Sequence, residues 1–193
     1  MFFIRRPSRD TIERFLAESQ HLPMSYGPIG LVQSSEGRSL DEASVVVGHG
    51  RHDFERAKAA LIAWQQFDLG WVELWPRPSP AHVGAVVAVL IKHLGFWSLN
   101  GCRVAYESGA NGPNVFGYAY VTLPNHAESG EELFEVSIDP RTDDVSYRIR
   151  ATSKPQALLT TIGQPIVRAL QARFRRDSAE AMRRAIAERE ARS

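Results

Sequence analysis

The stretch FGYAYVTLPNHAESGEELF, Phe116–Phe134, decides the fold. Its first half alternates: Phe116, Tyr118 and Tyr120 share one face, while Val115, Gly117, Ala119, Val121 and Leu123 share the other. That is the period of a strand. A polar turn follows, carrying His126 and Glu128, and a second strand begins at Glu132, where Phe134, Val136 and Ile138 again fall on one face. Two strands joined by a short turn pair antiparallel. Parity leaves open whether the aromatic or the small-residue face looks inward.

The same alternation continues on both sides for about 80 residues. It predicts strands over Trp71–Trp75, Val83–Lys92, Cys102–Glu107, Val115–Leu123, Glu132–Ile138 and Val145–Thr152, with Ala43–Val47 as an earlier strand. Gly109–Pro113 and Asp139–Asp144 read as hairpin turns. Three helices flank these strands. Ser8 or Asp10 caps a first one in which Ile12, Phe15 and Leu16 share a face, and His21-Leu22-Pro23 ends it. Gly27, Gly30 and Gly37 make the next segment loop-like. Phe54, Ala57, Ala60, Leu61, Trp64 and Phe67 recur at helical spacing, predicting a helix over Asp53–Phe67 closed by Gly70. Pro155 stops the sheet, and a short irregular or helical piece runs to Gly163. Pro165 suits the first turn of a final helix whose stripe is Ile166, Leu170, Phe174, Met182 and Ile186. Spanning Pro165 to about Ala187, that helix is roughly 35 Å long, enough to cross a sheet. Strand, helix, six strands and a long helix predict an α+β fold: a curved antiparallel sheet of about seven strands wrapped on the C-terminal helix. Residues 1–40 read as a helix-and-loop extension and 41–193 as the core of one domain.

Composition narrows the class. A chain of 193 residues, 44% hydrophobic, suffices for one well-filled core. Its single cysteine, Cys102, excludes an internal disulfide framework and reads as a small core residue. Met1–Pro7 lacks the apolar run of a signal peptide. The longest strongly apolar run, Val83–Ile91, is far short of the roughly 20 residues of a membrane span. A soluble, cytoplasmic protein is expected. The net charge of +1 hides an asymmetry: Arg168–Arg192 carries eight arginines against Asp177, Glu180, Glu188 and Glu190. A basic helix of this kind is the solvated face of a surface helix or a patch for an anionic partner, including peripheral contact with a membrane. No interleaving of aromatic and basic residues points to nucleic acid.

Along most of its length the chain resembles an uncharacterised family of small bacterial and plant proteins that carry a domain of unknown function. The resemblance lies in Leu61, Trp64, Phe67, Gly70, Trp71, Trp97, Asn100 and Arg103, then the Phe116–Phe134 stretch. Ala151, Ser153, Pro155, Gly163, Pro165, Arg168, Gln171, Arg173 and Phe174 complete it. Asn125 departs from the usual glycine of the turn, and Lys154 stands where arginine is usual. The resemblance implies grouping with the START-like, birch-pollen-allergen-like superfamily of helix-grip folds, hence a cavity between sheet and helix, but no reaction.

Three readings of function follow. In the first, a small apolar or amphipathic molecule sits between the sheet and the C-terminal helix, walled by Trp71, Trp97, Tyr106, Tyr118, Tyr120 and Tyr147, with Arg103 as a candidate anchor for an acidic head group. In the second, an enzyme of the same fold, cyclase- or hydrolase-like, uses His126 with Glu128 or Glu132 as acid and base. In the third, the arginine-rich helix docks on an anionic partner or membrane. His126, Glu128, Glu131 and Glu132 are the densest group of metal-capable side chains, but their spacing matches no metal signature, and alternation turns Glu131 and Glu132 to opposite faces. Gly48-His49-Gly50 opens like a dinucleotide fingerprint, yet Asp53 stands at the third glycine and no parallel sheet follows. It reads as a tight turn, and neither cofactor nor metal is expected. Arg148 and Arg150 alternate to the face opposite Tyr147 and Ile149, so they are expected outside.

Overall fold

A computed structural model describes residues 1–33, 41–77, 80–93, 95–109, 112–155 and 164–190, with side chains at all of these except 153–155, 164–167 and 188–190. Gly37, Gly163, the piece at 156–163 and the tip of the Gly109–Pro113 turn lie outside the described residues, as do the side chains of Ser153, Lys154, Pro155, Pro165 and Ile166. Strands β1 (Phe2–Phe3), β2 (Asp41–His49), β3 (Val72–Trp75), β4 (Val86–His93), β5 (Phe96–Ser108), β6 (Val115–Thr122), β7 (Glu128–Ile138) and β8 (Asp144–Pro155) form one antiparallel sheet. Helices α1 (Arg9–Ser19), α2 (Gly50–Ile62) and α3 (Gln164–Glu190) accompany it. Seven strands run in the order β2-β8-β7-β6-β5-β4-β3, so chain-consecutive neighbours pair from β3 to β8. Within that path β2 arrives from a distance, to close the edge beside β8. The short β1 pairs with β5.

The inner face carries the main core. Tyr118 of β6, Phe134 and Val136 of β7 and Tyr147 and Ile149 of β8 meet Phe54, Ala57, Ala60 and Leu61 of α2 and Met182 and Ile186 of α3. The aromatic face of the deciding stretch therefore looks inward. On the outer face, Ile12 and Phe15 of α1 pack on Ala88, Leu90 and Leu99, while Val32 covers Ala119 and Leu133. The N-terminal segment thus roofs the far side of the sheet. Burial on both faces is why β4 is an almost unbroken apolar run rather than an alternating one.

Local chemistry explains the ends of these elements. The Thr11 N–H donates to Ser8 Oγ (3.3 Å), capping α1 as its sequence predicts. Gly48-His49-Gly50 is the strand-to-helix turn: the Asp53 carboxylate accepts the His49 N–H at 2.9 Å. A Cβ on Gly48 would sit 2.7 Å from that carboxylate. The helix predicted to reach Phe67 stops at Ile62. Trp64 takes a left-handed backbone (φ +59°), and a 3-10 turn, Gln65–Phe67, keeps Phe67 on the core side, so the helical spacing of apolar residues outlasts the helix itself. Strands β5 and β7 start earlier than predicted, at Phe96 and Glu128. Their first turns carry Ser98, Asn100, Glu128 and Glu131, polar residues that interrupt the apolar pattern without interrupting the ladder.

Candidate functional site: a cavity beneath the C-terminal helix

Between the sheet and the N-terminal half of α3 lies a cavity of about 350 Å³, within the size range of small-molecule pockets. Phe67, Trp71, Val89, Ile91, Leu170 and Phe174 form most of its apolar wall. Most of its polar groups come from β5, β6, β7 and the turn between the last two, among them Asn100, Tyr120, Thr122, His126, Glu128 and Glu132, while His93, Thr152, Gln171 and Arg175 add others from β4, β8 and α3. Strand geometry puts them together. Glu128, Gly130, Glu132 and Phe134 share one face of β7, and the register sets Glu132 directly opposite Tyr120. Tyr120 Oη accordingly donates to Glu132 Oε2 at 2.5 Å.

Electrostatics follow from enclosure. Burial, reinforced by the nearby Glu128, pushes the Glu132 carboxyl from the usual 4.5 up to about 7, against the opposing pull of the Tyr120 hydroxyl and of Arg175. Burial lowers His126 to about 4, so its imidazole is neutral, and Nδ1 accepts the Glu128 N–H at 2.9 Å. Burial also raises the Tyr120 phenol and the Cys102 thiol well above their usual values, leaving both protonated. Asn100 braces the turn: its Nδ2 donates to Val89 O (3.2 Å) and Ser98 Oγ (3.0 Å), and its Oδ1 accepts the Ala127 N–H (3.3 Å).

The expected site residues divide three ways. Trp71, Tyr120, His126, Glu128 and Glu132 come together on the cavity. Tyr118 and Tyr147 are not among its walls. Both are inward but lie deeper in the packed core, where Tyr118 bonds Gln66 (2.6 Å) and Leu61 O (3.2 Å) and Tyr147 bonds Ser178 (2.8 Å). Trp97, Arg103 and Tyr106 occupy the outer face and likewise wall nothing. Trp97 packs with the α1 cluster, Arg103 donates to Gln20 O at 2.9 Å at the end of α1, and Tyr106 donates to Glu131. Glu131 faces outward, accepting the N–H groups of Gly30 (2.9 Å) and Leu31 (3.3 Å), so it pins the N-terminal loop to the sheet. Arg148 and Arg150 are also outward, paired with Glu135 (2.6 Å) and Glu42 (3.2 Å). Among the described residues no three His, Cys, Asp or Glu side chains converge as a metal site.

Sequence reasoning did not assign Leu170, Phe174, Arg175 or Asn100 to the site. The first three arrive with α3; the signal for Leu170 and Phe174 was the apolar stripe already read as packing, and that for Arg175 was the helix's arginine content. Trp71 is the hinge between helix and cavity: its Nε1 donates to Asp177 at 2.9 Å, and the Arg173 guanidinium stacks 4.4 Å from its ring centroid.

A curved antiparallel sheet that grips a long C-terminal helix and leaves a cavity between them defines the helix-grip class. The START superfamily protein from Mycobacterium smegmatis has this fold: TM-score 0.52, 12% identity, covering 77% of this chain and 97% of that one. Ara h 8.0201 has it too, at TM-score 0.50 and 8% identity, over 79% of this chain and 99% of that one. Identities this low establish the fold alone. The family Domain of unknown function (DUF1990) matches residues 25–181, and the chain belongs to it. It is 30% identical to a UPF0548 protein of Dictyostelium discoideum over 96% of each chain, and 34% identical to one of Deinococcus radiodurans over 96% of this chain and 98% of that one. No helix among the described residues is long and apolar enough to cross a membrane.

Proposed function

We propose that this protein binds a small amphipathic molecule in the cavity beneath α3. The observation that carries this reading is the division of the lining: an aromatic and aliphatic wall from Phe67, Trp71, Val89, Ile91 and Phe174, faced by convergent polar groups on β6 and β7. A protein whose α3 merely closed a core would have packed this volume, as it does beneath the C-terminal half of the same helix. Two observations bear on the alternatives. Glu132 near 7 and a neutral His126 on the wall of the same cavity are the kind of perturbed groups that acid–base chemistry uses, so an enzyme of this fold is the second reading. The docking of the arginine-rich helix on an anionic partner has less support. Arg173 and Arg176 are engaged by Asp177, Arg175 lies 3.8 Å from Asp41, and Arg183 and Arg184 donate to Val46 O and Asp68 O.

The test uses Nile red, a neutral apolar dye, together with native mass spectrometry of protein purified without added ligand. Ala151 shares the inner face of β8 and lines the cavity, so Ala151→Phe projects a ring into it. Dye fluorescence or a co-purified small molecule present in the wild type and lost in a folded Ala151→Phe is the expected result. Equal dye binding by both proteins would place the ligand elsewhere. Turnover abolished in Glu132→Gln, once a reaction is found, would move the second reading ahead.

A further inference from the structure

We infer that the cavity takes a ligand with a protonated amine on an apolar, aromatic-compatible body, the ammonium resting on the Glu132 carboxylate beside Tyr120. This deepens the binding reading and rests on it. The geometry starts with the 2.5 Å Tyr120–Glu132 hydrogen bond, the length of an O–H donating to an ionised oxygen. Tyr120 occupies only one carboxylate oxygen, Oε2, and among the described residues no arginine, lysine or histidine forms an ion pair with Glu132. Arg175 lowers the Glu132 carboxyl only through space, and the net effect of burial still raises it, so a ligand that brings a cation into contact with Glu132 relieves the remaining cost.

The surroundings select the sign of the ligand. Glu128 lines the same face two pleats away, and its charge helps raise the Glu132 carboxyl. Among the described residues Arg175 is the one cation on the α3 side of the lining; it acts on Glu132 through space but forms its ion pair with Asp41, at 3.8 Å. His126 from the turn is neutral near pH 7, and burial likewise favours the neutral form of His93 on β4. Tyr120 stays a phenol, and behind it on the same sheet face Cys102, Tyr118 and Tyr147 are also held protonated by burial. Phe67, Trp71, Tyr120 and Phe174 supply ring faces, which attract an ammonium and accept an aryl or alkyl body equally well. A neutral alcohol would fill the volume without compensating Glu132, and a carboxylic acid would be repelled.

The pH dependence has a definite sign. Glu132 titrates near 7 in the protein alone, whereas a bound ammonium favours its ionised form. Binding below pH 7 must therefore release a proton, and affinity rises as the pH goes from 6 to 8 while the amine remains charged.

Three ligands of one shape separate the possibilities: tryptamine, indole-3-ethanol and indole-3-propionate, titrated calorimetrically into wild type and Glu132→Gln. The expected order is amine, then alcohol, then acid, with the amine ahead by about tenfold or more. That preference should grow from pH 6 to pH 8 and vanish in Glu132→Gln, whose fold is checked by thermal melting at pH 8. An alcohol or acid that binds as tightly as the amine would overturn the inference, as would an amine preference that survives Glu132→Gln. Failure of all three at millimolar concentration while Nile red still binds would overturn the amine assignment and leave the cavity reading standing. Failure of Nile red as well would remove both.

Discussion

The space between the sheet and α3 has two halves built from the same strands, and they end differently. Beneath the C-terminal half of α3 the strands present Tyr118, Phe134, Tyr147 and Ile149, and α2 plugs the volume with Phe54, Ala57 and Leu61. Phe134 sits at the centre, with ring centroids of Phe67 at 5.5 Å, Tyr120 at 5.4 Å and Tyr118 at 6.0 Å. The two phenols there are satisfied inside the protein, Tyr147 by Ser178 and Tyr118 by Gln66 and Leu61 O. Beneath the N-terminal half, one pleat further along the same face, the lining holds no α2 residue and the cavity remains. There Tyr120 meets not an amide or hydroxyl but Glu132, a group whose needs the protein meets only in part. Alternation decides which side chains enter the interior. A second element, present or absent, decides whether that interior is a core or a site.

The largest effect that can break this contrast is volume. Phe134→Ala removes the ring on which the closed half is packed and should cost about 3–5 kcal/mol in denaturant unfolding. Phe174→Ala, at the boundary, should cost less, because Phe174 is only half-buried and one side of it already borders the cavity. Equal losses would mean that the two halves are equally packed and that the cavity is no more than a gap between side chains.

The second effect is titration, and it should appear only in the cavity half. Glu132 binds its proton more tightly folded (about 7) than unfolded (about 4.5), so the native state holds the extra proton in that window and stability falls as pH rises through it. Over the full window this amounts to roughly 3 kcal/mol. His126 has the opposite sign: its native value of about 4 lies below the usual 6.5, so the unfolded chain holds the extra proton and stability rises with pH between those values. The two slopes nearly cancel between about pH 4.5 and 6.5. Glu132→Gln should expose the rising slope and stabilise the protein at pH 8 by about 1–3 kcal/mol. His126→Gln should expose the falling one. Flat profiles in both variants would show that neither group is enclosed as the fold requires.

Much of this architecture could be read from the residues. The strand periods, the Ser8 cap, the turn before α2 and the stripe of α3 are local patterns, and local physics wrote them. The starts of β5 and β7 were hidden because Asn100 and Glu131 serve the turn and the N-terminal loop, a tertiary demand that breaks the apolar pattern. The inward face of β6 was undecidable because both of its faces are buried, one by α2 and the other by Val32. The same limit applies to the site. Parity brought Tyr118, Tyr120 and Tyr147 to one face, but depth along the strand separated wall from core, and depth depends on how far α2 extends. Arg103 and Tyr106 were placed by contacts distant in the chain: Arg103 bonds Gln20 O at the end of α1, 83 residues away, and Tyr106 packs against Val32 of the N-terminal loop.

The smallest effect makes the sharpest comparison, because one atom is removed in each half. Tyr147→Phe deletes a hydroxyl bonded to Ser178 in the closed core, a neutral pair, and should cost about 0.5–1.5 kcal/mol at any pH from 5 to 8. Tyr120→Phe deletes the donor to Glu132. Below pH 6, where Glu132 is protonated, the loss should be similar to that of Tyr147→Phe. Above pH 7 the carboxylate loses its only hydrogen-bonded side-chain partner among the described residues, and the cost should rise to about 1.5–3 kcal/mol, the range for a bond to a charged group. The mechanism also predicts a coupled change: without the phenol the native pKa of Glu132 moves higher, so the falling limb of the stability profile shifts to higher pH. In a Tyr120→Phe, Glu132→Gln double variant, that pH dependence should vanish, because the charge the phenol served is gone. A Tyr120→Phe cost independent of pH, matching Tyr147→Phe throughout, would make the two halves alike and leave Glu132 solvated like any surface acid.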